Sequence, residues 1–543
     1  MENNRDLNES DFGAGEIASR VRAYTSVMQL GGSIATGALN FVGAITNSIP
    51  FLATYNPNTA LGGGFGFGPA FAAFQRALSN VGLRRAMTNS RLNTAEYYEE
   101  MANNPALLAE YGLEAHEAKF IAREIREGTM IPAQTNALTE TARGRSKSGL
   151  VQKGMDGFMW TFNATEQASR RAVGLAAYRL EYERRKTSGA SEKDAIEAAR
   201  QFAVEALRIS LGEYSVINRP PAWRSGIQSF LYMYKVFPTT SIQLLKALPR
   251  SGQLYMLAAM WVLAGVSGFP FAEDLEDIID TIAQKLGFRV GSIRYEAAKL
   301  IDSIAPGASQ IILNGGANAV LPADLAGRVS LGDFIPGTGI LLAGSNVGRE
   351  LAEIGGPALS MATDTIDSVA TGIKAAATEK VTFEDWLREN PVTLGRMFGD
   401  ALAYVNSGAV VDRRGYVVSP DMDASVILTR LLGFYPAGAA EEYGVIRVSK
   451  RIVDYQKEVS AGFRQAWIKA MIRGDMEQAQ AIVDSVNDWN EGAEGTALEI
   501  NNFQRNARKA LQEARRPAGE RLLRSAPKSA KEDVDLAATL LGY

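Results

Sequence analysis

Between Arg22 and Arg76 the chain carries no Asp, Glu, Lys or Arg, a run of 53 residues from Ala23 to Gln75. Few folds accept such a stretch, because it must be hidden in a protein core, against a partner or in lipid. Its first half, "YTSVMQLGGSIATGALNFVGAITNSIPFLATY", is long enough to cross a bilayer as a helix. Gly32, Ser33, Thr36, Gly37, Gly43 and Ala44 recur through it as small residues that let helix backbones approach closely. Pro50, Asn56 and Pro57 then break the pattern. The second half, "ALGGGFGFGPAFAAF", reads as a glycine-rich, aromatic-spiked loop. Membrane contact and core burial both remain open for this block. The membrane-facing candidates lie between Leu30 and Phe51 and are Phe41, Val42 and Ile45.

Two further blocks lack charge. "SGQLYMLAAMWVLAGVSGFPFA" (251–272) has the length of a membrane helix. Basic Arg224, Lys235, Lys246 and Arg250 precede it, and acidic Glu273, Asp274, Glu276, Asp277 and Asp280 follow. The positive-inside tendency places the basic end on the cytoplasmic side. Its membrane-facing candidates, within Leu254 to Phe271, are Leu254, Leu257, Trp261, Val262, Leu263 and Phe269. The third block, 303–323, is interrupted by Pro306, Gly315, Gly316 and Pro322 and reads as loops and short helices.

Catalytic chemistry is thinly supplied. The chain has no Cys and one His among 543 residues, so thiolate sites, disulfides and paired-imidazole metal sites are excluded. His116 lies in a polar run, 113–119, that reads as an exposed helix face. The formal charge of −3 gives no global pull toward nucleic acid. There is no GxxxxGK[ST] loop, and Gly62–Gly68 lacks GxGxxG spacing. The acidic group Glu273, Asp277 and Asp280 shares a helix face, which suits a solvated helix start better than a cation site. The expectation is no enzyme, no cofactor and no metal.

Six segments follow from composition: a polar arm and apolar glycine-rich segment (1–75), a charged helical segment with a basic linker (76–150), a central helical domain (151–302), a glycine-rich segment (303–380), short helices with a hairpin (381–440), and a helical hairpin with a basic tail (441–543). Asn104-Pro105 marks a helix start and Ile131-Pro132 a break. Phe158, Trp160 and Phe162 read as core. Ser191 caps a helix with Asp194 at its third position, and Ile196, Ala199, Phe202, Ala203, Ala206, Leu207 and Ile209 form its apolar stripe. Thr382 caps another, again with an aspartate, Asp385, three residues on. Met397–Val405 is helical, and "GAVVDRRGYVVS" (408–419) is a β-hairpin. Val448, Ile452, Tyr455, Val459 and Phe463, continued by Ala466 and Ala470, form a seam at three- and four-residue steps and are the oligomer candidates. Asp475 caps the returning helix. The tail from Asn501 to Lys531 holds nine Lys or Arg against two Asp or Glu. Its possible phosphate contacts are Arg505, Arg508, Lys509, Arg515 and Arg516; a solvated helix face is the simpler reading.

The order of "NRPPAWRSGIQSFLYMYKVFPTTSIQLLKAL", "LAGVSGFPFAEDLEDIIDTIAQKLG", "ENPVTLGRMFGDALAYVNSGAVVDRRGYVVS" and "LLGFYPAGAAEEYGVIRVSKRIVDYQKEVSAGFRQAWIKAMIRGDMEQAQAIVDSVNDWN" resembles the C-terminal region of large polyvalent, internal virion proteins of tailed phages, the PLxRFG type. The resemblance spans about Lys153 to Asn490. "PVTLGRMFG" follows the Pro-Leu-x-Arg-Phe-Gly signature loosely. The resemblance implies a protein packed with the genome and ejected with it, located in the virion interior and then in the host envelope. It implies homo-oligomers and, as partners, other ejection proteins, portal or tail, phage DNA and the host inner membrane. No catalytic residue carries over.

The chain is therefore expected to be a mainly α, elongated multi-helix protein with glycine-rich loops, one short hairpin near 408–419 and a C-terminal helical hairpin. Its expected role is a conduit for genome delivery. The rival readings are a capsid-core or scaffold protein that stays in the particle, a membrane pore protein unconnected to a virion, and a lytic transglycosylase-like enzyme using one Glu.

Overall fold

The computed structural model describes residues 32–55, 64–131, 157, 159–212, 236–269, 271–285, 292–325, 382–390, 392–412, 415–493 and 498–516. The polar arm, the basic linker, Phe158, most of the glycine-rich segment 303–380, the hairpin tip and the tail beyond 516 lie outside these residues. The protein is mainly α: among the described residues the only sheets are two short antiparallel pairs. The chain divides into two compact units, Met1–Asp277 with Leu300–Glu442, and Ile278–Lys299 with Tyr443–Tyr543.

The first unit begins with α1 (Ile34–Gly43), a π turn (Ala44–Ser48) and α2 (Ile49–Thr54). Pro50 sits at the start of α2 and has no N–H to give to Thr46, and the π turn absorbs that missing bond. This part of the charge-free run is core. Ile49, Phe51 and Leu52 are fully buried. The polar side chains of the run find partners inside the protein: Asn47 donates to Ser241 at 3.1 Å, and Ser48 meets Ser210 at 2.8 Å. Gly37 lets α1 reach the central helix, since a Cβ there would lie 2.7 Å from Thr165 Oγ1.

The second half of the run is not all loop. Phe67 to Gln75 form the start of α3 (Phe67–Val81), which buries Ala70, Phe74, Ala77 and Val81. The apolar residues there recur at helical spacing, and the glycines end before the helix is under way. Next come α4 (Leu83–Thr88), α5 (Ala95–Ala102), α6 (Pro105–Tyr111) and α7 (Ala115–Arg126). Asn104 caps α6 as its sequence implies, accepting from Ala106 N at 3.0 Å.

The central element is α8 (Trp160–Thr187), which packs against α1, α3 and α9 (Glu192–Ser210). It is buried on most sides although it is rich in charge. Arg179 Nε donates to Glu117 at 2.6 Å and Nη2 to the same carboxylate at 2.9 Å. Arg170 pairs with Glu166 at 3.2 Å. Arg171 donates to Leu92 O at 2.6 Å and Asn93 Oδ1 at 2.8 Å; its Nε and Nη2 have no partner among the described residues. Of the three aromatics near the start of α8, Phe162 is core and Trp160 is exposed. On α9, Ser191 accepts from Asp194 N at 3.2 Å, and Ala199, Phe202, Ala203, Ala206 and Leu207 are buried, as the periodicity requires.

His116 is not a surface residue. Its side chain is 15 % exposed. Nδ1 bonds Tyr178 Oη at 3.0 Å, Nε2 bonds Glu114 at 2.8 Å, and the ring lies 4.4 Å from that of Tyr182. The polar run around it hides these contacts because two of the partners come from α8, more than sixty residues later.

The rest of the unit is α10 (Val236–Ala247), α11 (Arg250–Ala264), the first residues of α12 (Ala272–Lys285), the end of α13 (Ile293–Ile304), α14 (Ala308–Asn314), α15 (Gly316–Val320), β1 (Ala323–Asp324), α16 (Phe383–Arg388), α17 (Thr393–Ser407), the hairpin β2 (Val410–Val411) and β3 (Val417–Ser419), α18 (Ala424–Leu431) and β4 (Tyr435–Pro436). β1 pairs with β4, and β2 with β3 in the register Val410↔Ser419. α16, α17 and α18 are tied by Asp400, which accepts from Arg388 at 3.1 Å and from Arg430 Nε at 3.0 Å. Burial works against the Arg430 charge, but Asp400 beside it more than offsets this and raises its pKa.

In the second unit α19 (Ala437–Arg473), which enters it at Tyr443, turns at Gly474 into α20 (Met476–Glu491), and α21 (Phe503–Ala514) follows. Tyr455, Trp467, Ala470, Ala479, Val483, Val486, Trp489, Phe503, Ala507 and Leu511 form its core. Trp489 Nε1 donates to Leu498 O at 3.0 Å.

Candidate functional site

The apolar block 251–272 is not one helix. α11 spans 15 residues, Arg250–Ala264, and ends where Gly265 takes φ +62°. A short 3₁₀ turn, Gly265–Gly268, follows. At 1.5 Å per residue α11 is about 22 Å long, short of the ~30 Å hydrocarbon core. Among the described residues no helix is long and apolar enough to cross a membrane.

The break has a visible cause. A Cβ on Gly265 would lie 2.4 Å from the backbone of Leu313, and one on Gly315 would lie 2.7 Å from Gly265 N. The two glycines let the turn between α14 and α15 sit against the end of α11. The second and third charge-free blocks therefore pack on each other. On its inner side α11 buries Gly252, Met256, Met260 and Ala264 at four-residue steps. Gly252 allows contact with α2, since a Cβ there would meet Thr54 Oγ1 at 2.5 Å. Tyr255 stacks on Phe67 at 4.7 Å, and burial raises its phenol pKa.

The outer side stays apolar and open. Leu254 is 68 % exposed and Val262 50 %, with exposed Ala258 between them on the same stripe. Leu257, Trp261, Leu263 and Phe269 are half-buried at its edges. Val320, Leu321 and Ile311 of the packed third block are also exposed. Arg250 and Lys246 are exposed at the N-terminal end of α11. Of the candidates in the first block, Ile45 is exposed and Phe41 and Val42 are half-buried.

The seam on α19 finds its partner in the same chain. Tyr455 is buried, and Ile452, Val459 and Phe463 pack against the core shared with α20 and α21. The rings of Tyr455 and Phe463 lie 6.1 and 6.5 Å from that of Trp489. A three-and-four spacing specifies a helix–helix contact and is silent on whether the second helix belongs to another copy. Val448 lies on α19.

On α21, Arg505, Arg508, Lys509 and Arg515 are exposed, and Arg516 pairs with Glu513 at 3.4 Å. Among the described residues no group of three His, Asp or Glu could hold a metal ion. Asp280 instead accepts from Ile293 N at 2.6 Å, at the start of α13. An open groove of about 400 Å³ runs along α9 beside Arg200, Glu205 and Arg208. No family model, curated protein or solved structure matches this chain.

Proposed function

We propose that this protein is a non-enzymatic, internal virion protein of a tailed phage that is ejected with the genome, assembles in several copies and helps form a conduit across the host envelope. The observation that supports the reading is the outward face of α11, where Leu254 and Val262 stand exposed on a helix without an internal charge. Exposing such side chains side by side is unfavourable in water unless another surface covers them. α11 is too short to span, so the face enters the headgroup boundary from one side, with Arg250 and Lys246 near anionic lipid. The gain is of the order of 1.5–3 kcal/mol for each large side chain fully buried.

The test is co-flotation with anionic liposomes and dye leakage, using protein purified without detergent. Flotation is expected, and Leu254→Asp with Val262→Asp should abolish it while leaving the circular dichroism melt unchanged, because both side chains are exposed. Comparing the protein content of particles before and after DNA release checks ejection. A protein that never floats and stays in the emptied particle would be a core or scaffold component, with the α11 face buried against another virion protein.

A further inference from the structure

The second unit carries two opposite charged stripes on its outside. On α20 the exposed Glu477, Asp484, Asp488 and Glu491 fall within an arc of about 60° at 3.6 residues per turn. They lie opposite the buried Ala479, Val483, Val486 and Trp489. α20 has no Lys or Arg at all. The stripe runs about 21 Å along the helix. On α21 the exposed Arg505, Arg508 and Lys509, with Arg515 at its C-cap, fall within an arc of about 120°, away from the buried Phe503 and Ala507. That stripe runs about 15 Å. These four cations have no ion-pair partner among the described residues.

We propose that the acidic stripe of α20 docks on the basic stripe of α21 in a second copy of this chain. The acidic stripe holds every charge on α20, the basic one shares α21 with a single acid, Glu513, the two stripes carry four charges each of opposite sign, and their lengths are comparable. A basic stripe by itself would suit any polyanion. The matched acidic stripe in the same unit makes the surface complementary to itself. One copy offers one stripe of each sign, so two copies can close as a two-fold pair using both contacts, or copies can follow head to tail into a ring. The inference supplies an interface for the assembly proposed above and rests on that reading only in requiring several copies. It needs no membrane.

The experiment measures the mass of the full chain in solution, without lipid, by mass photometry and sedimentation. Assembly is expected at about 0.05 M salt and should weaken by about 0.5 M, where the screening length shrinks to a few ångströms. Arg505→Glu with Arg508→Glu and Lys509→Glu should raise the half-assembly concentration at least about tenfold. Glu477→Lys with Asp484→Lys and Glu491→Lys should do the same. Mixing the two variants should restore assembly, because acidic α21 then meets basic α20 and the unchanged stripes meet each other. A folding defect would not be rescued by mixing. The proposal is overturned if the wild-type chain stays single at low salt, if either variant assembles normally, or if mixing fails. It is also overturned if only the α21 variant has an effect, accompanied by loss of double-stranded DNA binding, which would assign the basic stripe to nucleic acid. Liposome flotation is read separately, so failure of this contact leaves the membrane reading standing, and the reverse.

Discussion

Arg171 and Arg179 sit about two turns apart on α8, and both are buried, in opposite circumstances. Arg179 has a carboxylate held by two hydrogen bonds. Removing it with Arg179→Met leaves Glu117 buried and unpaired, and should cost about 3–5 kcal/mol in urea unfolding. Adding Glu117→Leu to that variant should recover a large part of the loss. Arg171 has only neutral acceptors, and burial lowers its pKa. Near it, Tyr98 is fully buried with a hydroxyl that has no partner among the described residues, and burial pushes its phenol up to about 12 from the usual 10. A phenol with a folded pKa above its unfolded value stabilises fully below the unfolded pKa, and loses that contribution as pH rises through the folded one. Stability should therefore fall between about pH 10 and 12. Tyr98→Phe should lessen that fall, to which the other buried phenols also contribute, without lowering stability at neutral pH, read by denaturant melts across the range.

At the scale of elements, the helix ends were the most legible feature. Ser191, Thr382 and Asp475 each accept from the N–H three residues on, and that bond is fixed by local spacing alone. Thr382→Ala should cost about 1 kcal/mol. The β-hairpin and the α19–α20 turn were legible for the same reason. What depended on distant partners was not. α8 looks like an ordinary charged helix because its neutralising groups, Glu117 and the Leu92 carbonyl among them, come from elsewhere in the chain. The α11 break depends on Gly315, fifty residues later. Nothing in the spacing of the α19 seam could say that it closes within one chain. Glycine shows the same divide. Gly462 lies in the interior of α19 with nothing near its missing Cβ, so Gly462→Ala should add about 0.5–1 kcal/mol. Gly399, in the "PVTLGRMFG" stretch on α17, faces Arg388 N at 2.6 Å from that same atom. Gly399→Ala should destabilise by about 1–3 kcal/mol despite the better helix propensity. Thermal melts of the pair compare the two directly.

For the whole molecule, stability is distributed unevenly. The core around α8 gathers buried side chains from α2, α3, α5 to α7 and α9 to α11, whereas α14 buries only Ser309 and Leu313. Hydrogen exchange should be slowest along α8 and fastest in α14 and α15, so that the exposed Ile311 and Val320 can loosen before the core opens. Equal protection of α8 and α15 would show that they unfold together.

The division of the chain also sets a timetable for its synthesis. Residues Ile278–Lys299 belong with a unit whose remainder begins at Tyr443. The ribosome must therefore make the whole of 300–442 before that insert can meet its partners. At ~5–20 residues per second this wait is roughly 7–30 s. During it Ile278 and Ile279, half-buried in the finished protein, wait in an incomplete unit and offer nascent-chain chaperones an apolar site.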